Sequence, residues 1–277
     1  MKTIVTTFAL FLLAFTTHAA IPPSWTRAVE PVHIAGPIYY VGTEELGAYL
    51  IAGDEGLILL DVPLDTNAEL VLRNVRTLGF DPKQIRILLN SHAHLDHIGG
   101  FARVQKETGA KIYLSAKDAA LAARGGKNDF AFGDTILYPP VKADHIVRDG
   151  DTIRLGNLTM TALLTPGHTQ GCTTWRTTIK DHGKPLDVVF LCSVTAPGYT
   201  LVNNEKYPTI FADYRASFTR LRRLDPDIFL ANHAAFFDLA DKRANKKPFI
   251  ARGEFRTYLD EAWKELEAQE AKQRAKK

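Results

Sequence analysis

Three imidazoles and one carboxylate stand within six positions in His92-Ala93-His94-Leu95-Asp96-His97. The stretch follows the apolar run at 85–89 and precedes Gly99-Gly100, which places it on a loop between a strand and a helix. Such a loop is poor core material, because each ring buried without a ligand would need its own hydrogen-bond partner. As ligands the four side chains suit zinc, which takes imidazole nitrogen and carboxylate oxygen. Extended backbone lets His92 and His94 project to the same side. Asp96 and His97 then face a second position as the chain turns into the helix. Two further histidines sit where such a centre needs them. His168 lies in the turn Thr165-Pro166-Gly167-His168-Thr169 after an apolar strand, and His233 ends another in Ala231-Asn232-His233. His33, His145 and His182 lack this placement and read as surface residues.

Short runs rich in Val, Ile, Leu and Tyr alternate with helical spacing. Strands are expected at 38–41, 48–52 and 57–60, separated by Gly42-Thr43 and Gly53-Asp54-Glu55-Gly56. Thr66-Asn67-Ala68-Glu69 resembles a capping box, followed by Leu70, Val71, Val75 and Leu78 at helical spacing. A buried strand at 85–89, a helix at about 100–107 and a strand at 111–114 come next. Ser115-Ala116-Lys117-Asp118 then starts another capped helix. Residues 125–140 lack periodicity but carry Phe130, Phe132 and Tyr138 between glycines, which suits a surface loop or lid. Strands are expected again at 152–155, 159–164, 173–179 and 188–191. A helix at about 214–224, a strand at 227–231 and a long amphipathic helix from about 253 complete the pattern. Two similar sets, each β-rich and then helical, predict a sandwich of two sheets with helices outside. Nothing splits it, so residues 20–277 are expected to form one domain.

The N-terminus differs from the rest. Lys2 precedes an apolar run from Ile4 to Phe15, and Thr17-His18-Ala19-Ala20 offers small residues to a signal peptidase. The run is too short for a permanent membrane helix. Residues 1–19 therefore read as a secretory signal, and the mature product as exported and, in a Gram-negative type of bacterium, periplasmic. A net charge of +3 is too small to imply a nucleic-acid partner, and much of the basic excess lies in the solvated end 272–277. Two cysteines remain after export, Cys172 and Cys192. An oxidising compartment permits a disulfide; two buried thiols, or a thiol ligand to zinc, are the other readings.

With His168 and His233, the pattern His92-x-His94-x-Asp96-His97 matches the metal signature of the metallo-β-lactamase superfamily. The chain further resembles the subclass B3 metallo-β-lactamases along nearly all of its mature length. The similar stretches are Gly42-Thr43-Glu44-Glu45-Leu46, Ser91 to Gly100, Ala123-Arg124-Gly125-Gly126, Phe132-Gly133-Asp134, Gly167-His168-Thr169 and Ala196-Pro197-Gly198-Tyr199. The resemblance implies the α/β fold in its αβ/βα four-layer form, with metals in the groove between the two halves. It implies two zinc ions per chain, one held by His92, His94 and His168, the other by Asp96, His97 and His233. Asp96 would also orient the nucleophile, a water acidified by zinc. The implied reaction is hydrolysis of the β-lactam amide of penicillins, cephalosporins or carbapenems, conferring antibiotic resistance. The implied partner is that small molecule, and the protein is expected to be a monomer bound to neither nucleic acid nor membrane.

Ser193 separates the candidate substrates. Many superfamily hydrolases acting on thioesters, lactones or phosphodiesters place a metal-bridging aspartate at the corresponding position. Two other β-lactamase subclasses place a zinc-binding cysteine there. Serine cannot bridge two metals, though it can hold a water or a substrate carboxylate, a role Thr195 would share. Cys192 is one residue off and would face away from Ser193 on a strand. It is better matched with Cys172 in a disulfide. Trp25, Phe132 and Phe130 are candidates for apolar walls around the substrate. The alternative function is a related two-zinc hydrolase of a lactone, thioester or phosphoester.

Overall fold

The computed structural model describes residues 21–276, so the expected signal at 1–19 lies outside them. A first sheet of seven strands runs in sequence order: β1 Val32–Ala35, β2 Ile38–Tyr40, β3 Tyr49–Gly53, β4 Gly56–Leu60, β5 Ile85–Leu89, β6 Lys111–Ser115 and β7 His145–Val147. It begins antiparallel through β4 and continues parallel from β4 to β7. Parallel neighbours need crossovers, and helices supply them. These are α1 Ala68–Thr77 before β5, α2 Leu95–Ile98 and α3 Phe101–Thr108 before β6, and α4 Ala116–Ala123 before β7.

Continuous hydrophobicity in the central strands follows from burial on both faces. In β3 and β4, Tyr49, Ile51, Ile58 and Leu60 enter the core shared with the second sheet. Their alternates Leu50, Leu57 and Leu59 pack in a second core with Val71, Val75, Phe101, Val104 and Leu121 of the helices.

The second sheet contains β8 Thr152–Leu155, β9 Leu158–Leu164, β10 Thr173–Asp181, β11 Lys184–Leu191 and β12 Ile228–Ala231, in the order β12-β11-β10-β9-β8. Its hairpins are antiparallel. β12 joins β11 in parallel after the crossover helix α5 Ile210–Leu221. Met160, Ala162, Trp175 and Phe190 line the shared core, and Tyr214, Phe218, Leu259 and Leu266 place α5 and α7 (Glu254–Arg274) against this sheet. The short α6 Leu239–Arg243 lies between β12 and α7. Helices, sheet, sheet and helices form the four expected layers. Among the described residues, no helix is long and apolar enough to cross a membrane.

Local differences from the sequence reading have local causes. β1 and β7 were not expected. They are the edges of their sheet and only four and three residues long, too short to show a periodic pattern. The helix expected from 214 begins at Ile210, after Thr209. The capping box expected at Thr66 does not form; Asn67 Oδ1 accepts from Leu64 N at 3.1 Å and closes the turn before α1. Ser115 caps α4 as expected, its Oγ accepting from Asp118 N at 3.4 Å.

Candidate metal centre

The candidate residues all lie where strands end at the same rim of the sandwich. β5 leads into Ser91–His97, β9 into His168, β11 into Ser193 and β12 into His233. Bonds between the two sheets hold these ends in register. Trp175 Nε1 donates to Asn90 O at 2.9 Å, Thr173 N to Ser91 O at 2.8 Å, and Tyr49 Oη to Ala231 O at 2.5 Å.

His92, His94 and His168 converge closely enough for one ion to touch all three. His94 Nδ1 lies 3.2 Å from His168 Nε2, and the His92 and His168 rings are 4.5 Å apart. Asp96 gathers a second set: its Oδ2 is 3.2 Å from His97 Nε2 and 3.5 Å from His233 Nε2. The six residues chosen from sequence therefore form two adjoining clusters.

The reverse side of the imidazoles fixes which nitrogen is free. His168 Nδ1 donates to Thr195 O at 2.8 Å, leaving Nε2 to face the cluster. Glu45 Oε1 stands 3.3 Å from His233 Nδ1, Asp61 Oδ2 3.8 Å from His97 Nδ1 and Asp129 Oδ2 3.7 Å from His94 Nε2. The Asn232 amide meets His92 Nδ1 at 3.3 Å, and the orientation that puts Oδ1 there satisfies an otherwise unpaired oxygen. His168, His233 and His92 thus have an outer partner of the kind that orients metal-binding histidines, and a carboxylate stands just beyond bonding distance behind His94 and His97. Meanwhile His92 Nε2 and His97 Nε2 on the inner side, and His94 Nε2 and His97 Nδ1 on the outer, are buried with no hydrogen-bond partner. Buried polar atoms are rarely left so, and a cation at each cluster would satisfy the two that face inward. The donor set of imidazoles and one carboxylate fits zinc.

Electrostatics agree with that fit. Burial, reinforced by the neighbouring imidazoles, pushes His92 well below its ordinary pKa, and burial pushes His168 down to about 3. Both rings are neutral and able to donate a lone pair. Burial opposes the charge on Asp96, but His97 and His233 outweigh it and hold the carboxyl well below the usual range. Burial also lowers His233, yet Asp96 and Glu45 more than reverse this and raise it to about 9. Without a cation, the second cluster therefore holds a proton at His233.

Of the other expected residues, Ser193 is buried, with its Oγ 2.9 Å from Thr195 Oγ1. Thr195 does more through its backbone, whose carbonyl accepts from both His168 and Tyr214 Oη. Phe132 packs 5.2 Å from the His94 ring and Trp25 6.1 Å from His233, so both reach the centre. Phe130 instead packs behind, against Tyr199 and Tyr207. His33, His145 and His182 are exposed, as expected. Cys172 and Cys192 form the disulfide, with the Cys192 sulfur 3.8 Å from His92 Nδ1.

Sequence reasoning missed the outer partners Glu45, Asp61, Asp129 and Asn232. It also missed Tyr199, whose ring lies 5.5 Å from His168, and Phe236, 5.0 Å from His233. Asp61 offered one signal, a carboxylate directly following an apolar strand.

Residues 48–233 match the family model of the metallo-beta-lactamase superfamily. The chain belongs to that superfamily. Among solved superfamily structures it is similar to a Cronobacter sakazakii metallo-beta-lactamase with a HARLDQ motif, at 41% identity and a TM-score of 0.87, covering 91% of this chain and 98% of that one. It is similar also to BJP-1 of Bradyrhizobium japonicum, a subclass B3 metallo-beta-lactamase, at 38% identity and a TM-score of 0.86 with the same coverage. The B3 resemblance read in the sequence is thereby borne out. The present chain reads HAHLDH at 92–97, so it carries imidazoles, His94 and His97, at both places where it differs from HARLDQ. Curated relatives in the superfamily match over shorter stretches. A probable metallo-hydrolase of Burkholderia pseudomallei is 30% identical over 109 residues, 39% of this chain. A hydroxyacylglutathione hydrolase of Methylobacterium nodulans is 33% identical over the same number, again 39% of this chain. These matches span 36% and 33% of the two relatives' own lengths.

Proposed function

We propose that the chain is a zinc-dependent β-lactamase, hydrolysing the ring amide of penicillins, cephalosporins or carbapenems. One zinc would be held by His92, His94 and His168, the other by Asp96, His97 and His233. The observation that carries this reading is the convergence of those six side chains, with unpaired buried nitrogens of His92 and His97 facing inward. When bound, zinc supplies a nucleophile from water at neutral pH and a Lewis acid for the carbonyl oxygen.

The protein's own groups do the rest. Burial keeps His92 and His168 neutral, so that they bind rather than take up protons. Asp96 keeps its negative charge beside His97 and His233 and orients the attacking water. The substrate carboxylate is met by the hydroxyls of Ser193 and Thr195. Phe132 and Tyr199 on one side, Trp25 and Phe236 on the other, form apolar walls that exclude bulk water. Solved relatives named as metallo-beta-lactamases, each covered almost end to end, support this substrate over others. The hydroxyacylglutathione hydrolase match supports the shared metal-binding region and, only weakly, a thioester. Ser193 argues against thioester, lactone and phosphoester substrates, because a hydroxyl cannot bridge two metals as the aspartate of such enzymes does.

The same reading makes residues 1–19 an export signal, 20–277 one catalytic domain, and the mature protein a periplasmic monomer. The test is turnover by zinc-loaded protein of a penicillin, a cephalosporin and a carbapenem, beside a thioester, a lactone and a phosphodiester. Hydrolysis of at least one β-lactam with little of the others is expected. Cleavage of the thioester, lactone or phosphodiester alone would replace this reading with the related hydrolase.

A further inference from the structure

Asp96, Glu45, Asp61 and Asp129 each face an imidazole, but Asp118 faces none. It stands in the first turn of α4, buried to 3% exposure, and its oxygens bond only to backbone and a hydroxyl. Oδ2 accepts from Ala93 N at 2.9 Å and from Thr169 Oγ1 at 3.0 Å, while Oδ1 accepts from Gly171 N at 3.1 Å. Ala93 is the residue between His92 and His94. Thr169 and Gly171 follow His168. A single carboxylate therefore ties together the two loops that bring the first three imidazoles into one cluster.

The surroundings reinforce that tie from both sides. Tyr138 Oη donates to Ala93 O at 2.6 Å, so both polar groups of Ala93 are held. Ser115, the cap of α4, donates from Oγ to Gly171 O at 2.7 Å, so both polar groups of Gly171 are held as well. Gly171 has to be glycine, because a Cβ there would overlap Ser115 Oγ and the Asp118 carboxylate. At Gly171 the backbone is thus pressed against the first turn of α4, with no room for a side chain between them. Burial raises the Asp118 pKa to about 6, against the pull of Ala93 N, His94, Thr169 and Gly171 N, so the group is charged at neutral pH. A buried anion with only neutral donors is costly to keep, and its bonds run to the two loops rather than to the end of α4. The cost is matched to a task.

We propose that Asp118 is a positioning residue for the first metal site, setting the spacing between the His92–His94 turn and His168. The inference rests on the reading that these histidines hold a metal. It makes a prediction particular to this geometry: the site formed by Asp96, His97 and His233 has no bond to Asp118 and does not depend on it.

The variant that tests this is Asp118→Asn, which keeps the shape but turns one acceptor into a donor facing N–H groups. Zinc affinity is measured by competition with a chromophoric chelator, with cobalt(II) absorption as a reporter of ligand geometry. Tm is measured in excess chelator and in excess zinc. First-site affinity should fall by about 10–100-fold, the usual effect of losing a group that orients metal ligands. Second-site affinity should hold, the cobalt spectrum should change, and the rise in Tm on adding zinc should shrink. A purely architectural role would lower both Tm values alike and leave first-site affinity and the cobalt spectrum unchanged, and that result would overturn the proposal. Should Asp118→Asn not fold, Thr169→Val removes one of the three donors. It should weaken the first site several-fold, and an unchanged affinity would equally overturn the proposal. Wild-type protein that bound no zinc would sink the metal reading itself, a result separate from either variant's.

Discussion

At the scale of single residues, the two clusters differ most in what protons do to them. His168 is pushed down to about 3 by burial, and His92 is also pushed far down. His233 is raised to about 9 by Asp96 and Glu45 against the effect of burial. A cation at the second cluster must displace the His233 proton at any pH below about 9. At the first, His92 and His168 begin to compete only at far lower pH. Metal affinity is lost as pH falls wherever the free ligand gains a proton, so acidification should strip the second site first. Stepwise dialysis against buffers of falling pH, with metal analysis and a His233→Ala variant to mark the second site, checks the order. Release of the first metal before the second, or of both together, would contradict it. All six candidate ligands were legible in the sequence, because four lie within one six-residue stretch and the others follow apolar strands. Glu45, Asp61, Asp118 and Asp129 were not legible as partners. Each acts on a residue some 25 or more positions away, and only folding creates the pairings.

Among the elements, the strand ends and the disulfide decide how firmly the site is built. Cys172 directly precedes β10, Cys192 directly follows β11, and the bridge closes a loop with a separation of 20 residues. Loops of this size gain about 3 kcal/mol from such a link. Replacing both cysteines by serine should lower Tm in chelator by several degrees, read by thermal melts of oxidised wild type and double variant. An unchanged Tm would show that the bridge only records proximity. The pairing was foreseen once Cys192 was seen to alternate with Ser193 along its strand. Central strands were legible for a related reason, since burial on both faces leaves an unbroken apolar run such as Ile87-Leu88-Leu89. The edge strands β1 and β7 were not. In β7, His145 and Ile146 are exposed and only Val147 is buried, so pairing depends on β6 rather than on pattern.

Over the whole molecule, the rim joins loops from both sheets. The first cluster takes two imidazoles from the loop after β5 and one from the loop after β9, and His97 meets His233 across the same seam, their rings 5.0 Å apart. A metal held there links the two layers and binds only the folded state. Added zinc should therefore raise Tm in proportion to the logarithm of its free concentration, and chelator should reverse the rise. A melt insensitive to both would mean that the clusters hold no ion.

The bridge against His92 has a consequence for the order of events in the protein's making. Both sulfurs lie within 4.8 Å of a His92 ring nitrogen. Joined to each other they are neutral and poor donors, whereas as thiolates they would be soft ligands competing for the same ring and drawing copper(I) or a misplaced zinc. Oxidation before metallation closes that trap. A reduced chain should therefore offer soft ions a third donor group beside the two clusters, which the oxidised chain does not.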